Sequence, residues 1–97
     1  MKSKFTVDYF IEKFTKIPDS KWAMGNYRVG QRKCALGHCG YSNSNRPIHT
    51  EEGVALSQMF AKVNLLVSHI NDGFPEFGVT PKERILVVLE HIKGMNI

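Results

Sequence analysis

The chain has 97 residues, 42% of them hydrophobic and 23% charged, enough for one domain and too few for a catalytic domain joined to a separate regulatory one. Thirteen Lys and Arg against nine Asp and Glu give a formal charge of +4, a modest bias towards nucleotides, nucleic acids or an acidic protein surface. No stretch approaches the roughly 20 apolar residues of a membrane span and no apolar run of signal-peptide length follows Met1; with only Cys34 and Cys39 as cysteines, the expectation is a cytoplasmic protein with reduced thiols and no membrane partner.

Val7, Phe10, Ile11, Phe14 and Ile17 recur at spacings of three and four, which predicts a helix over 6–17 with one buried face, capped by Thr6 and stopped by Pro18. Residues 21–31 carry Trp22, Met24, Tyr27 and Val29 broken by Gly25 and Gly30, a pattern for a short irregular hairpin. A short helix is expected over 32–39, ended by Gly40, then a Ser/Asn-rich surface loop over 41–47. Thr50 caps the next helix, whose first turn holds Glu51 and Glu52 against the positive end of the dipole. Its apolar pattern runs on to Ile70, as one long helix or as two broken near Asn64, until Asn71-Asp72-Gly73 stops it and Phe74-Pro75 prevents resumption. Thr80-Pro81-Lys82-Glu83 is a capping box with proline at the first helical position, opening a last helix that Gly94 is expected to end. The fold expected is a compact single domain over 1–97, mainly α (α+β), with about four helices and a short irregular β-hairpin.

Three blocks, Trp22-Ala23-Met24-Gly25, then Cys34-Ala35-Leu36-Gly37-His38-Cys39, then Ile70-Asn71-Asp72 followed by Thr80-Pro81-Lys82-Glu83-Arg84-Ile85-Leu86, come in that order after a leading helix. In this the chain resembles an uncharacterised family of small phage and bacterial proteins. The resemblance implies a phage or accessory-gene setting and carries no activity with it. His38-Cys39 stand where small apolar residues are usual in that family, so no role is carried over to those two.

The most informative asymmetry lies between Ser20 and Thr50, where Lys21, Arg28, Arg32, Lys33 and Arg46 occur without a single Asp or Glu. Arg28 and Arg32 suit bidentate contacts to phosphate, Gly25 and Gly30 allow close backbone approach, and a helix starting near Lys33 would aim free amides at the same place. Trp22, Tyr27 and Tyr41 offer stacking surfaces for a base, and Asn71 and Asp72 offer contacts to a ribose or base edge. The candidate ligand-binding set is therefore Trp22, Tyr27, Arg28, Arg32, Lys33, Arg46, Asn71 and Asp72. The plainer alternatives are a solvated basic loop with Trp22 and Tyr27 filling core, and Asn71-Asp72-Gly73 acting as a helix-ending turn. The glycine spacing from Gly25 to Gly30 is that of a phosphate loop, but Gln31-Arg32 stands where that motif needs Lys followed by Ser or Thr, so an ATPase of that type is not supported.

Cys34 beside Arg32 and Lys33 at a helix start suggests a thiol of lowered pKa, with His38, His49 or His69 as its base and Asn71 or Asp72 orienting that base. Cys34, His38 and Cys39 also have metal-ligand character, but the second pair of ligands a structural zinc site draws on is missing, so neither metal nor cofactor is expected. The leading expectation is a non-enzymatic, phage-encoded accessory protein that sequesters a small phosphorylated or nucleotide-derived ligand such as a host defence signal. The alternatives are an inhibitor that binds a host protein or nucleic acid through a basic face, and a thiol hydrolase using Cys34. A homo-oligomer sealed by Phe74, Phe77 and Met95 fits all three.

Overall fold

The computed structural model describes residues 5–25, 27–41 and 49–95; Arg46 and most of the 41–47 loop lie outside them. Five α-helices and one two-stranded hairpin make up the regular structure among these residues: α1 (Val7–Thr15), β1 (Arg28–Val29), β2 (Arg32–Lys33), α2 (Ala35–His38), α3 (Glu51–Ala61), α4 (Val67–Asp72) and α5 (Pro81–Met95). Single 3₁₀ turns occupy Asp19–Lys21 and Pro75–Phe77. The domain is mainly α, as the periodicity predicts. No helix among the described residues is long and apolar enough to cross a membrane.

Each long helix starts where its sequence offers a side-chain acceptor for an orphan amide. Thr6 Oγ1 accepts from Tyr9 N at 3.1 Å, Thr50 Oγ1 from Gly53 N at 3.1 Å, and Thr80 Oγ1 from Glu83 N at 3.1 Å. The long apolar run after Thr50 does break: Asn64 adopts φ 60°, a left-handed conformation that asparagine tolerates, and the chain turns into α4. Gly94 does not end α5, which runs on to Met95. A single helical glycine costs only about 1 kcal/mol, and Ile92 in the same turn is fully buried.

Helix α5 is the central element, packed along α1 and α4 and touching α2 and α3. Its stripe Ile85, Val88, Leu89 and Ile92 meets Phe10 and Phe14 of α1, Leu56 and Phe60 of α3, and Val67 and Ile70 of α4 in one core. Each such side chain contributes about 1.5–3 kcal/mol through burial. The hairpin sits on this core through its base. A Cβ at Gly37 would lie 2.0 Å from the Tyr27 carbonyl oxygen, so only glycine lets α2 close against the start of β1.

Candidate functional site

The hairpin brings three of the predicted cations together. Arg28 pairs with Lys33 and Val29 with Arg32 in antiparallel register, so Arg28 and Lys33 share one face while Arg32 stands beside Val29 on the other. All four residues are exposed, Val29 at 48%. Gly30, at φ 63°, makes the turn, and its carbonyl accepts from Arg28 Nε at 2.8 Å. Lys21 joins the group, its Nζ 3.5 Å from Gln31 Oε1. No carboxylate pairs with Lys21, Arg28, Arg32 or Lys33 among the described residues. The ion pairs instead tie other parts of the molecule: Lys13 to Glu52 at 2.5 Å, Lys16 to Glu12 at 3.0 Å and Lys93 to Asp8 at 2.8 Å.

The rest of the predicted set does different work. Trp22 is 4% exposed, edge-on to Phe14, with its indole N–H donating to the Ile17 carbonyl at 3.3 Å. It fills core and presents no face to a base, so that expectation is corrected. Tyr27 is half-buried and meets Tyr41 edge-on at 5.6 Å, while Tyr41 stacks on His49 and lies over Gly53.

Asn71 is fully buried. Its Oδ1 accepts from Ala35 N at 3.1 Å, and its Nδ2 donates to Ala23 O at 2.8 Å and Asp72 Oδ1 at 2.9 Å. Asp72 Oδ1 also accepts from Gly25 N at 3.0 Å. Both residues stitch the chain at 23–25 and the start of α2 to α4, and the Asn71 amide is fully engaged within the fold, which corrects the expected ribose contact from Asn71.

The amides that were to receive an anion are committed as well. Helix α2 is only four residues long; the Ala35 amide bonds Asn71 and the Gly37 amide donates to Cys34 Sγ at 3.4 Å. Its N-terminus is therefore no phosphate cradle.

The expected lowering of the Cys34 pKa gives way to a shift in the other direction. Cys34 is buried, and burial pushes its thiol up despite the hydrogen bond from the Gly37 amide. Cys39 is pushed up to about 12, by burial first and by the nearby Glu52 carboxylate second. The adjacent cations do not offset desolvation, because the side chains of Arg32 and Lys33 point into water. His38 Nε2 lies 3.0 Å from the Lys21 carbonyl and its ring meets Trp22 edge-on, while burial lowers its pKa. No group of three or more His, Cys, Asp or Glu able to hold a metal occurs among the described residues.

One residue in this region escapes the sequence reading. Arg84 is 5% exposed and donates to the carbonyls of Ile70 at 2.8 Å, Asn71 at 2.6 Å and Val79 at 3.0 Å, with longer approaches to Gly78 O and Met24 Sδ. All five guanidinium N–H groups point at protein acceptors, none a carboxylate. Its signal was its place four residues before Val88, on the buried stripe of α5.

Open grooves among the described residues include one lined by Asp19, Thr80, Lys82, Glu83, Leu86, Val87 and Glu90, one lined by Phe5, His49, Thr50 and the first turns of α3, and one along the 69–76 turn. None of the three includes Arg28, Arg32 or Lys33. Comparison of the chain with protein-family models, with curated proteins and with solved structures finds no match in any of them.

Proposed function

We propose that the protein is a non-catalytic binding module that engages a nucleic acid backbone through its basic hairpin. The observation that carries this reading is the outward placement of Arg28, Arg32 and Lys33 on both faces of a two-residue ladder, without carboxylate partners among the described residues. Cations so placed suit an extended array of phosphates, each able to meet one backbone phosphate from the solvent side. With Trp22 buried and Tyr27 half-buried against Tyr41, stacking adds little, so recognition is of phosphates and not of sequence. The resemblance to small phage and bacterial proteins supplies the setting, an accessory protein acting on nucleic acid in a bacterial host, and that setting is part of the proposal.

The test is fluorescence anisotropy with a labelled oligonucleotide, single-stranded and duplex, at low salt. Arg28→Ala/Arg32→Ala/Lys33→Ala should weaken binding to both at least about tenfold, the equivalent of ~1.4 kcal/mol, while Lys62→Ala at the C-cap of α3, outside the hairpin, should leave it unchanged. Equal affinity of wild type and triple variant overturns the reading.

A further inference from the structure

The groove beside the N-terminal half of α5 carries a charge pattern opposite to that of the hairpin. Its floor is Leu86 and the exposed Val87, and Asp19, Glu83 and Glu90 stand around it. None of these three carboxylates forms an ion pair among the described residues, whereas Asp8, Glu12 and Glu52 are all paired. The one cation lining the groove, Lys82, turns its Nζ away to the Thr15 carbonyl at 3.1 Å. An apolar strip flanked by unpaired carboxylates calls for a short apolar segment flanked by cations.

This chain contains such a segment in Arg28-Val29 and Arg32-Lys33, where exposed Val29 stands among three cations that form no ion pair among the described residues. The two surfaces are also neighbours. A single 3₁₀ turn, Asp19–Lys21, has Asp19 on the groove and Lys21 reaching Gln31 at the hairpin turn. One edge of the molecule therefore carries an acidic groove and a basic ridge side by side. That is the arrangement a two-fold contact requires, since each copy must offer both halves of the interaction to the other.

We infer that the chain forms a reciprocal homodimer in which the hairpin of each copy docks in the α5 groove of the other, opposite charges meeting around an apolar contact of Val29 with Leu86 and Val87. The dimer masks the same cations that the proposed function uses, so self-association and nucleic acid binding compete. The inference stands on the complementarity of groove and hairpin and does not require the nucleic acid reading.

The experiment is sedimentation velocity over a concentration series with two charge-reversed proteins, Asp19→Lys/Glu90→Lys in the groove and Arg32→Glu/Lys33→Glu on the hairpin. All four positions are exposed, and circular dichroism checks that each variant is folded. Wild type should dimerise, more weakly as salt rises, and each variant alone should dissociate at least about tenfold more readily. An equimolar mixture of the two should recover a dimer, because in the mixed pair every basic hairpin meets an acidic groove and every acidic hairpin a basic groove. A wild type that stays monomeric at all accessible concentrations, variants that dimerise as well as wild type, or a mixture without recovery each overturns the inference. Oligonucleotide binding separates the two proposals: the groove variant should bind at least as well as wild type, and the hairpin variant should not.

Discussion

Two polar regions of this small domain invite comparison, the Arg84–Asn71 node and the basic hairpin. The node sits within the fold with its side-chain donors and the Asn71 acceptor satisfied by backbone, by Asp72 or by Met24 Sδ. The hairpin holds three cations, Arg28, Arg32 and Lys33, on two short strands with no ion pair among the described residues. Chemically both look like places to bind a ligand. Burial separates them: polar groups withdrawn from water must be bonded within the fold and so specify it, while those left in water are free for a partner. Asn71 belongs with the first kind, Arg28, Arg32 and Lys33 with the second.

The sharpest way to break this comparison is at the node. Replacing Arg84 by Met would leave the carbonyls of Ile70, Asn71 and Val79 without their donor, at about 1–3 kcal/mol for each that stays dry. Against a typical total of 5–15 kcal/mol, we expect urea denaturation to show a loss of at least ~3 kcal/mol, and Asn71→Ala to follow at about 2–4 kcal/mol. A loss under ~1 kcal/mol at both positions would move these residues out of the structural class. Next in size, Gly37→Ala should cost about 1–3 kcal/mol, because its Cβ meets the Tyr27 carbonyl; the same denaturation series measures it.

The pH dependence tests the surroundings of Cys39 and Tyr9, the two groups that face Glu52 of α3. Cys39 rises from 9.0 to about 12, chiefly through burial, and Tyr9 from 10.0 to about 12, chiefly through its hydrogen bond to Glu52. In both cases the folded state holds its proton more tightly than the unfolded chain. Their contribution to stability is therefore full below pH 9 and declines as pH rises from there to about 12. Thermal melts should show Tm falling between pH 8 and pH 10.5, with a smaller fall in Cys39→Ala. Native Cys34 and Cys39 should alkylate slowly with iodoacetamide at pH 7 and rapidly in urea. The smallest effect should come at the hairpin, where Arg28→Ala/Arg32→Ala/Lys33→Ala changes stability by no more than about 0.5 kcal/mol.

Much of the fold was legible in the sequence, for local reasons. Thr6, Thr50 and Thr80 announce helices because a threonine hydroxyl placed before an apolar periodicity has an orphan amide to satisfy. Asn64 and the glycines at 25 and 30 mark real turns because they adopt positive φ. What was hidden depends on partners distant in sequence. Arg84 reads as one more helix charge until Gly78, Val79 and the end of α4 close around it, and Trp22 reads as a stacking platform until α1 covers it. The Ala35 amide at the start of α2 looks free because its acceptor, Asn71, lies 36 residues downstream. Of the candidate site, the acid-free basic stretch was visible in composition alone; the outward direction of its cations follows from the strand register, which no count of charges reveals.

The division between a structural node and a functional hairpin is tested most directly by the salt dependence of oligonucleotide binding, measured for wild type and for Arg28→Ala/Arg32→Ala/Lys33→Ala. Neutralised phosphates release counterions, so log K should fall against log salt with a slope of about −0.9 per contact on duplex DNA. Contacts from Arg28, Arg32 and Lys33 predict a wild-type slope of about −2.7 or steeper, and one shallower by about that amount in the triple variant. A wild-type affinity that does not change with salt, or one with the same slope in both proteins, contradicts the account.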